Sequence, residues 1–256
     1  MSKSSDLSNK VAVITGASSG LGVQMAQALA GQGAHLAILA RRKERLETVK
    51  TEIEQKYGVR VLACECDVVN QSQVQSVADQ VKAEFGRVDI LVNNAGVGGI
   101  GEAEKMSLEE WQKVVDVNLT GVFLCAQTFG KIMIEQKYGK IVNIASIFGA
   151  VGNSALPVVA YHATKGAVVN LTRALGAEWA KYNITVNAIG PGFFKSEMTE
   201  SVGENEDANK FIIAGSPMHR WGKEGELNGA LLLLASDASS FITGQTIYVD
   251  GGWTAV

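Results

Sequence analysis

Proline, cysteine, charge and long apolar runs are all scarce in this chain. Three prolines in 256 residues, with no Pro/Gly-rich stretch and no shift in composition, leave no linker between domains. The cysteines, Cys64, Cys66 and Cys125, are too few and too scattered for a disulfide framework. Cys64 and Cys66 flank Glu65 in a strand-like run, so alternation puts both thiols on one sheet face. A metal pair there finds no further Cys or His nearby in sequence, so no metal site is assigned; reduced, partly buried thiols in a cytoplasmic protein are the better account. Charged residues make up 19% and sum to a net charge of -3, which gives no basic footprint for nucleic acid and no charge run for a membrane surface. No uninterrupted apolar stretch approaches the ~18 residues of a spanning helix. The polar opening "MSKSSDLSNK" lacks a secretory core, and residues 1–9 are expected to be a flexible lead-in.

What is abundant is apolar surface, with 46% hydrophobic residues, enough for one large core. Short apolar runs alternate with longer amphipathic windows. The runs are "VAVIT" from Val11, "LAIL" from Leu36, "VLACE" from Val61, "DILVNN" from Asp89, "IVNIA" from Ile141, "ITVNAI" from Ile184 and "TIYVD" from Thr246. After Lys165, the residues Ala167, Leu171, Leu175 and Trp179 recur every four positions and predict one helical stripe. Strands apolar throughout and separated by helices predict an α/β, doubly wound parallel sheet covered on both faces, in a single domain over 1–256.

The first strand runs into "TGASSGLG", Thr15–Gly22, at the opening of a helix. Gly16, Gly20 and Gly22 allow a tight turn and close backbone approach, and the helix N-terminus offers free N–H groups to an anion. Three glycines alone are weak evidence; their place in the first βαβ unit strengthens it. At the end of the second strand, where an NAD site carries an acid for the ribose hydroxyls, stand Ala40, Arg41 and Arg42. With no acid near the strand tip and two guanidinium groups in reach of a 2′-phosphate, NADPH is expected over NADH.

With TGxxxGxG at Thr15–Gly22, "NNAG" at Asn93–Gly96, Asn118, Ser146, Tyr161, Lys165 and "PG" at Pro191–Gly192, the chain resembles the short-chain dehydrogenase/reductase family. The likeness runs from about Val11 to "YVDGGW" at Tyr248–Trp253, and one region is similar to gluconate 5-dehydrogenase-like members. It implies a seven-stranded sheet and a catalytic set of Asn118, Ser146, Tyr161 and Lys165. It further implies a cofactor path along Gly16, Ser18, Ser19, Leu21, Arg41, Arg42, Asp67, Val68, Asn94, Ala95, Gly96, Tyr161, Lys165, Pro191, Gly192, Phe194 and Ser196. Asp67 would meet the adenine amino group, Asn118 would fix a water, and Ser196 stands where a threonine is more usual. Helices near Val122–Gln136 and Ala167–Ala180, with the chain end, would build a homotetramer.

Tyr161 and Lys165, four apart in a helical window, share a face. An ammonium beside the phenol is expected to lower its pKa from about 10 toward neutrality. In carbonyl reduction Tyr161 would give the proton while Ser146 bonds the same oxygen. His162 points about 100° away and is read as flanking. The function expected is NADPH-dependent interconversion of a ketone and a secondary alcohol. A dinucleotide sensor without turnover would lack the Ser146/Tyr161/Lys165 set, and that set is intact. Ile147, Phe148, Val151, Leu156, Val158, Phe193 and Phe194 suggest a moderately apolar pocket for a ketone or keto ester, with a sugar or polyol dehydrogenase as the alternative. Residues 193–217 are long enough for a substrate-side lid. Tyr161 lies fifteen positions after Ser146, one or two more than the resemblance implies, so a reshaped wall is expected there.

Overall fold

The computed structural model describes residues 6–256. Seven parallel strands form one sheet in the order β3-β2-β1-β4-β5-β6-β7. They are β1 (Val11–Thr15), β2 (His35–Ala40), β3 (Val61–Glu65), β4 (Ile90–Asn93), β5 (Gly139–Ile144), β6 (Ile184–Pro191) and β7 (Thr246–Val249). Each expected run became a strand, with ends moved by up to two residues. Between them lie α1 (Gly20–Ala30), α2 (Lys43–Tyr57), α3 (Gln71–Phe85), α4 (Leu108–Val115), α5 (Gly121–Gln136), α6 (Val159–Trp179), α7 (Glu200–Glu204), α8 (Glu206–Gly215) and α9 (Asn228–Ala235).

The sheet is buried on both faces, and β1 shows why its sequence is apolar throughout. Ala12 and Ile14 pack with α1, α2 and α9 through Met25, Leu29, Leu46 and Leu231, whereas Val11 and Val13 pack on the other face with Val77, Phe129 and Trp179. Each fully buried Ile or Leu contributes about 1.5–3 kcal/mol, so both cores are needed to hold the sheet. Cys64 and Cys66 lie together in the second of these cores, as alternation requires, and burial pushes both thiols up to about 11.

The strand order reverses between β1 and β4, which opens a crevice at their carboxyl ends. Asp89, fully buried, fixes that junction from below: it accepts from the Val11 N–H at 2.9 Å and takes a bidentate pair from Arg87 at 2.7 and 2.6 Å.

Three expectations are corrected. Residues 1–5 of the expected lead-in lie outside the described residues, but Leu7 is packed rather than frayed. It is 1% exposed in the α1-side core and its N–H donates to Gln32 O at 2.9 Å. The helical run Leu108–Gln136 is long and apolar enough by composition to cross a bilayer; Cys125, Phe129 and Met133 build its inner face into the core instead. On α6 the deepest positions are Val168 and Thr172, both 0% exposed, while Ala167 and Leu171 are half-buried.

Candidate active site

A cleft of about 440 Å³ runs along the crevice. Its floor is the β1–α1 turn. Gly16 has φ +67°, and a Cβ there would lie 2.8 Å from the Ala95 Cα, so only glycine lets the turn approach the β4 exit. Asn94 stitches the two together, its Nδ2 donating to Thr15 O at 3.0 Å and Gly16 O at 3.2 Å. The N-terminus of α1 then faces the cleft with no side-chain cap and no acid in its first turn, an arrangement suited to an anion.

All of the residues expected along the cofactor path line this one cleft: the glycine turn, Arg41 and Arg42, Asp67 and Val68, Asn94 to Gly96, and Pro191 to Ser196 without Phe193 and Lys195. Tyr161, Lys165 and Ser146 line it too. Glu197, Met198 and Thr199 were missed. Glu197 also corrects the expectation that no acid stands near the arginines: it meets Arg42 at 2.9 Å and pairs with Arg45. These partners are 155 and 152 residues apart, so no local sequence signal could have joined them.

Ser146, Tyr161 and Lys165 converge at one end of the cleft. Ser146 ends the β5 exit and caps a short turn, Ile147–Gly149, its Oγ accepting from Phe148 N at 3.2 Å. Lys165 is 4% exposed; its ammonium donates to Ile144 O at 2.7 Å and sits 5.4 Å from the Tyr161 ring centroid. Burial pushes Lys165 down to about 8. Burial also pushes the Tyr161 phenol up to about 12, against the opposing pull of the Ser146 hydroxyl. The expected lowering of the phenol is therefore corrected: desolvation dominates, while the ammonium lies over the ring face and gives one of its three N–H groups to a carbonyl.

Asn118 is fully buried and does not line the cleft. It sits in a π turn, Asp116–Thr120, between α4 and α5. Its Oδ1 accepts from Val97 N at 2.8 Å and its Nδ2 donates to Val97 O at 2.9 Å, pinning the loop after NNAG.

The long Ser146–Tyr161 connection forms a knot on the rim. Asn153 Oδ1 accepts from Ala155 N at 3.0 Å and Leu156 N at 2.6 Å, and its Nδ2 reaches His162 Nε2 at 3.1 Å. With His162 Nδ1 donating to Val158 O at 3.0 Å, Nε2 is left to accept. His162 stacks on Phe148 with centroids 4.4 Å apart. From Phe148 an aromatic wall continues through Phe193 at 5.8 Å to Trp253 at 5.3 Å and Trp221 at 5.8 Å. Val151 and Leu156 are half-buried on the rim. Ile147 and Phe148 are corrections: at 1% and 7% exposure they are packed inward and line no part of the cleft.

Gly149 shows how tightly this turn is set. A Cβ there would stand 2.8 Å from the Lys165 carbonyl oxygen, whereas one on Gly152 meets nothing within 4 Å. Gly149→Ala is expected to cost about 1–3 kcal/mol and to reduce turnover by shifting Ser146 against Lys165. Gly152→Ala should do neither; thermal melts and steady-state rates of the matched pair test this.

The family model described as "Enoyl-(Acyl carrier protein) reductase" matches residues 16–254. A short-chain type dehydrogenase/reductase from Mycobacterium marinum superposes with a TM-score of 0.95 at 40% identity, covering 99% of this chain and 98% of that one. The chain belongs to the short-chain dehydrogenase/reductase family. As a short-chain dehydrogenase/reductase it is an oxidoreductase. Among its relatives, the 3-oxoacyl-(acyl-carrier-protein) reductase FabG of Staphylococcus epidermidis is 40% identical over 245 residues, 95% of this chain and 98% of its own. A gluconate 5-dehydrogenase from Burkholderia cenocepacia, solved in complex with NADP and tartrate, is 36% identical with a TM-score of 0.95, covering 99% of this chain and 98% of that one.

Proposed function

We propose that this protein is an NADPH-dependent reductase of a moderately apolar ketone or keto ester, working reversibly on the secondary alcohol. The observation that carries the reading is the convergence of Ser146, Tyr161 and Lys165 at one end of the cleft whose other end holds Arg41 and Arg42. The residues fit NADPH. The uncapped α1 terminus suits a pyrophosphate, and Ala40 followed by two arginines suits a 2′-phosphate. When bound, that cofactor supplies the hydride for the carbonyl carbon.

The chain's own residues supply the proton and the charge stabilisation. A phenol pushed up to about 12 stays protonated at neutral pH, which is the form a general acid needs. Tyr161 gives its proton to the carbonyl oxygen, and the Ser146 hydroxyl bonds the same oxygen as its charge develops. The Lys165 ammonium, held by Ile144 O, lies close enough to offset negative charge on the phenolate left behind. Asn118 acts as a positioning residue through Val97.

The aromatic wall supports an apolar substrate, because half-buried Phe193 and Trp253, with centroids 5.3 Å apart, line the recess beside the cleft mostly with ring surface. A sugar-acid reading is favoured by the gluconate 5-dehydrogenase relative. That substrate's carboxylate needs a cation, and Arg220 in the recess beside Phe193 is already held by Glu226 through two contacts of 2.8 Å. An aryl ketone or β-keto ester is therefore expected to give a higher kcat/KM than a keto-sugar acid, with NADPH consumption as the readout. The reverse order would replace the apolar-ketone reading with the sugar-acid one. The helical excursion α7–α8 supports the expected lid, and exposed Phe123 on α5 supports the expected homotetramer.

A further inference from the structure

Arg42 spans the mouth of the cleft. Its Nη2 donates to Ser19 Oγ at 2.8 Å and Ser18 Oγ at 3.2 Å, and to Glu197 Oε2 at 2.9 Å; its Nη1 reaches Glu197 Oε1 at 3.4 Å. Arg45, almost one turn further along α2, donates to the same Oε1. Glu197 thus sits between two guanidinium groups, which hold its carboxyl down at about 2. The partners lie on opposite banks, Arg42 after β2 and Glu197 after β6, and both line the cleft. The turn that carries Glu197 is itself pinned, with Thr199 Oγ1 donating to Phe194 O at 2.7 Å and accepting from Ser196 N at 3.0 Å.

A carboxylate and a phosphate oxygen make the same charge-assisted contacts with a guanidinium, so the two compete for one partner. We propose that Glu197 holds the place of the cofactor's 2′-phosphate on Arg42 and Arg45, and so limits the selectivity for NADPH over NADH. The inference rests on the NADPH reading above. NADPH binds by exchanging its phosphate for the carboxylate, and gives up part of its affinity to break those pairs. NADH carries no phosphate, leaves the pairs in place and meets no penalty. Glu197 therefore restrains a preference that the arginines alone would make stronger.

The test is the dissociation constants of NADPH, NADH and adenosine 2′,5′-bisphosphate, by fluorescence titration and calorimetry. Wild type, Glu197→Gln, Arg42→Gln and the double variant are compared. In Glu197→Gln, NADPH and the bisphosphate should bind about threefold to tenfold tighter, the size set by two exposed ion pairs, with NADH within twofold of wild type. In the Arg42→Gln background the gain should shrink, since the two effects share a partner. An unmoved NADPH/NADH ratio in Glu197→Gln, alongside normal NADPH binding by wild type, overturns this inference alone. Equal weakening of both cofactors also overturns it, since that is the mark of a latch over any bound dinucleotide. A wild-type protein that binds neither NADPH nor the bisphosphate overturns the cofactor reading and this inference together.

Discussion

Tyr161→Phe is expected to leave NADPH binding within a few-fold of wild type and to cut turnover by about 10²- to 10⁴-fold, the usual worth of a positioned proton donor. The substitution removes one hydroxyl and keeps the ring that packs edge-on against Phe148 at 6.4 Å. A fall in kcat with an unchanged cofactor dissociation constant would separate lost proton transfer from lost structure. Near-normal turnover would sink the assignment. The pH profile adds a second handle. Burial lowers Lys165 to about 8 and raises Tyr161 to about 12, so the phenol keeps its proton across the working range while the ammonium loses its own first. Reduction should be level below pH 8 and decline above it as Lys165 is neutralised. Lys165→Met should remove that limb and lower the plateau.

Ala40→Asp combined with Arg41→Ala is expected to move cofactor preference toward NADH by about 10²-fold, read as the ratio of the two kcat/KM values. The added carboxylate can accept from a ribose 2′-hydroxyl and repels a phosphate. The lost guanidinium removes a charged hydrogen bond of about 1.5–3 kcal/mol, and about 1.4 kcal/mol is a factor of ten in affinity. Both positions line the cleft at the end of β2. Thermal stability should change little, since Arg41 is exposed. A preserved NADPH preference would shift the 2′-phosphate site away from this strand end.

The sheet was legible because both of its signals are local. Buried parallel strands are apolar at every position, so Val11–Thr15 and Ile184–Pro191 stand out from their flanks. The cleft residues were legible because motif spacing carries them to the carboxyl ends of adjacent strands. Charge placement was not. Glu197 reaches Arg42 only because β6 and β2 both deliver their exits to the same cleft. The Tyr161 phenol was misjudged for a related reason: helical spacing puts Lys165 near the ring, but the Ile144 carbonyl decides where the ammonium rests. Leu7 was misjudged because a polar stretch hides one apolar anchor, and burial beside α1 depends on a contact 25 residues away at Gln32.

The π turn at Asp116–Thr120 has one more residue than an α-helix would use to cover the same rise. It therefore acts as a phase slip of about 100° between the inward faces of α4 and α5. A single-residue deletion inside it would give a more regular helix and a worse enzyme. The hydrogen bonds would improve, while Asn118 would swing away from Val97 and the loop that it clamps would lose its anchor. At this point of the chain, regularity and register pull in opposite directions, and the fold keeps register.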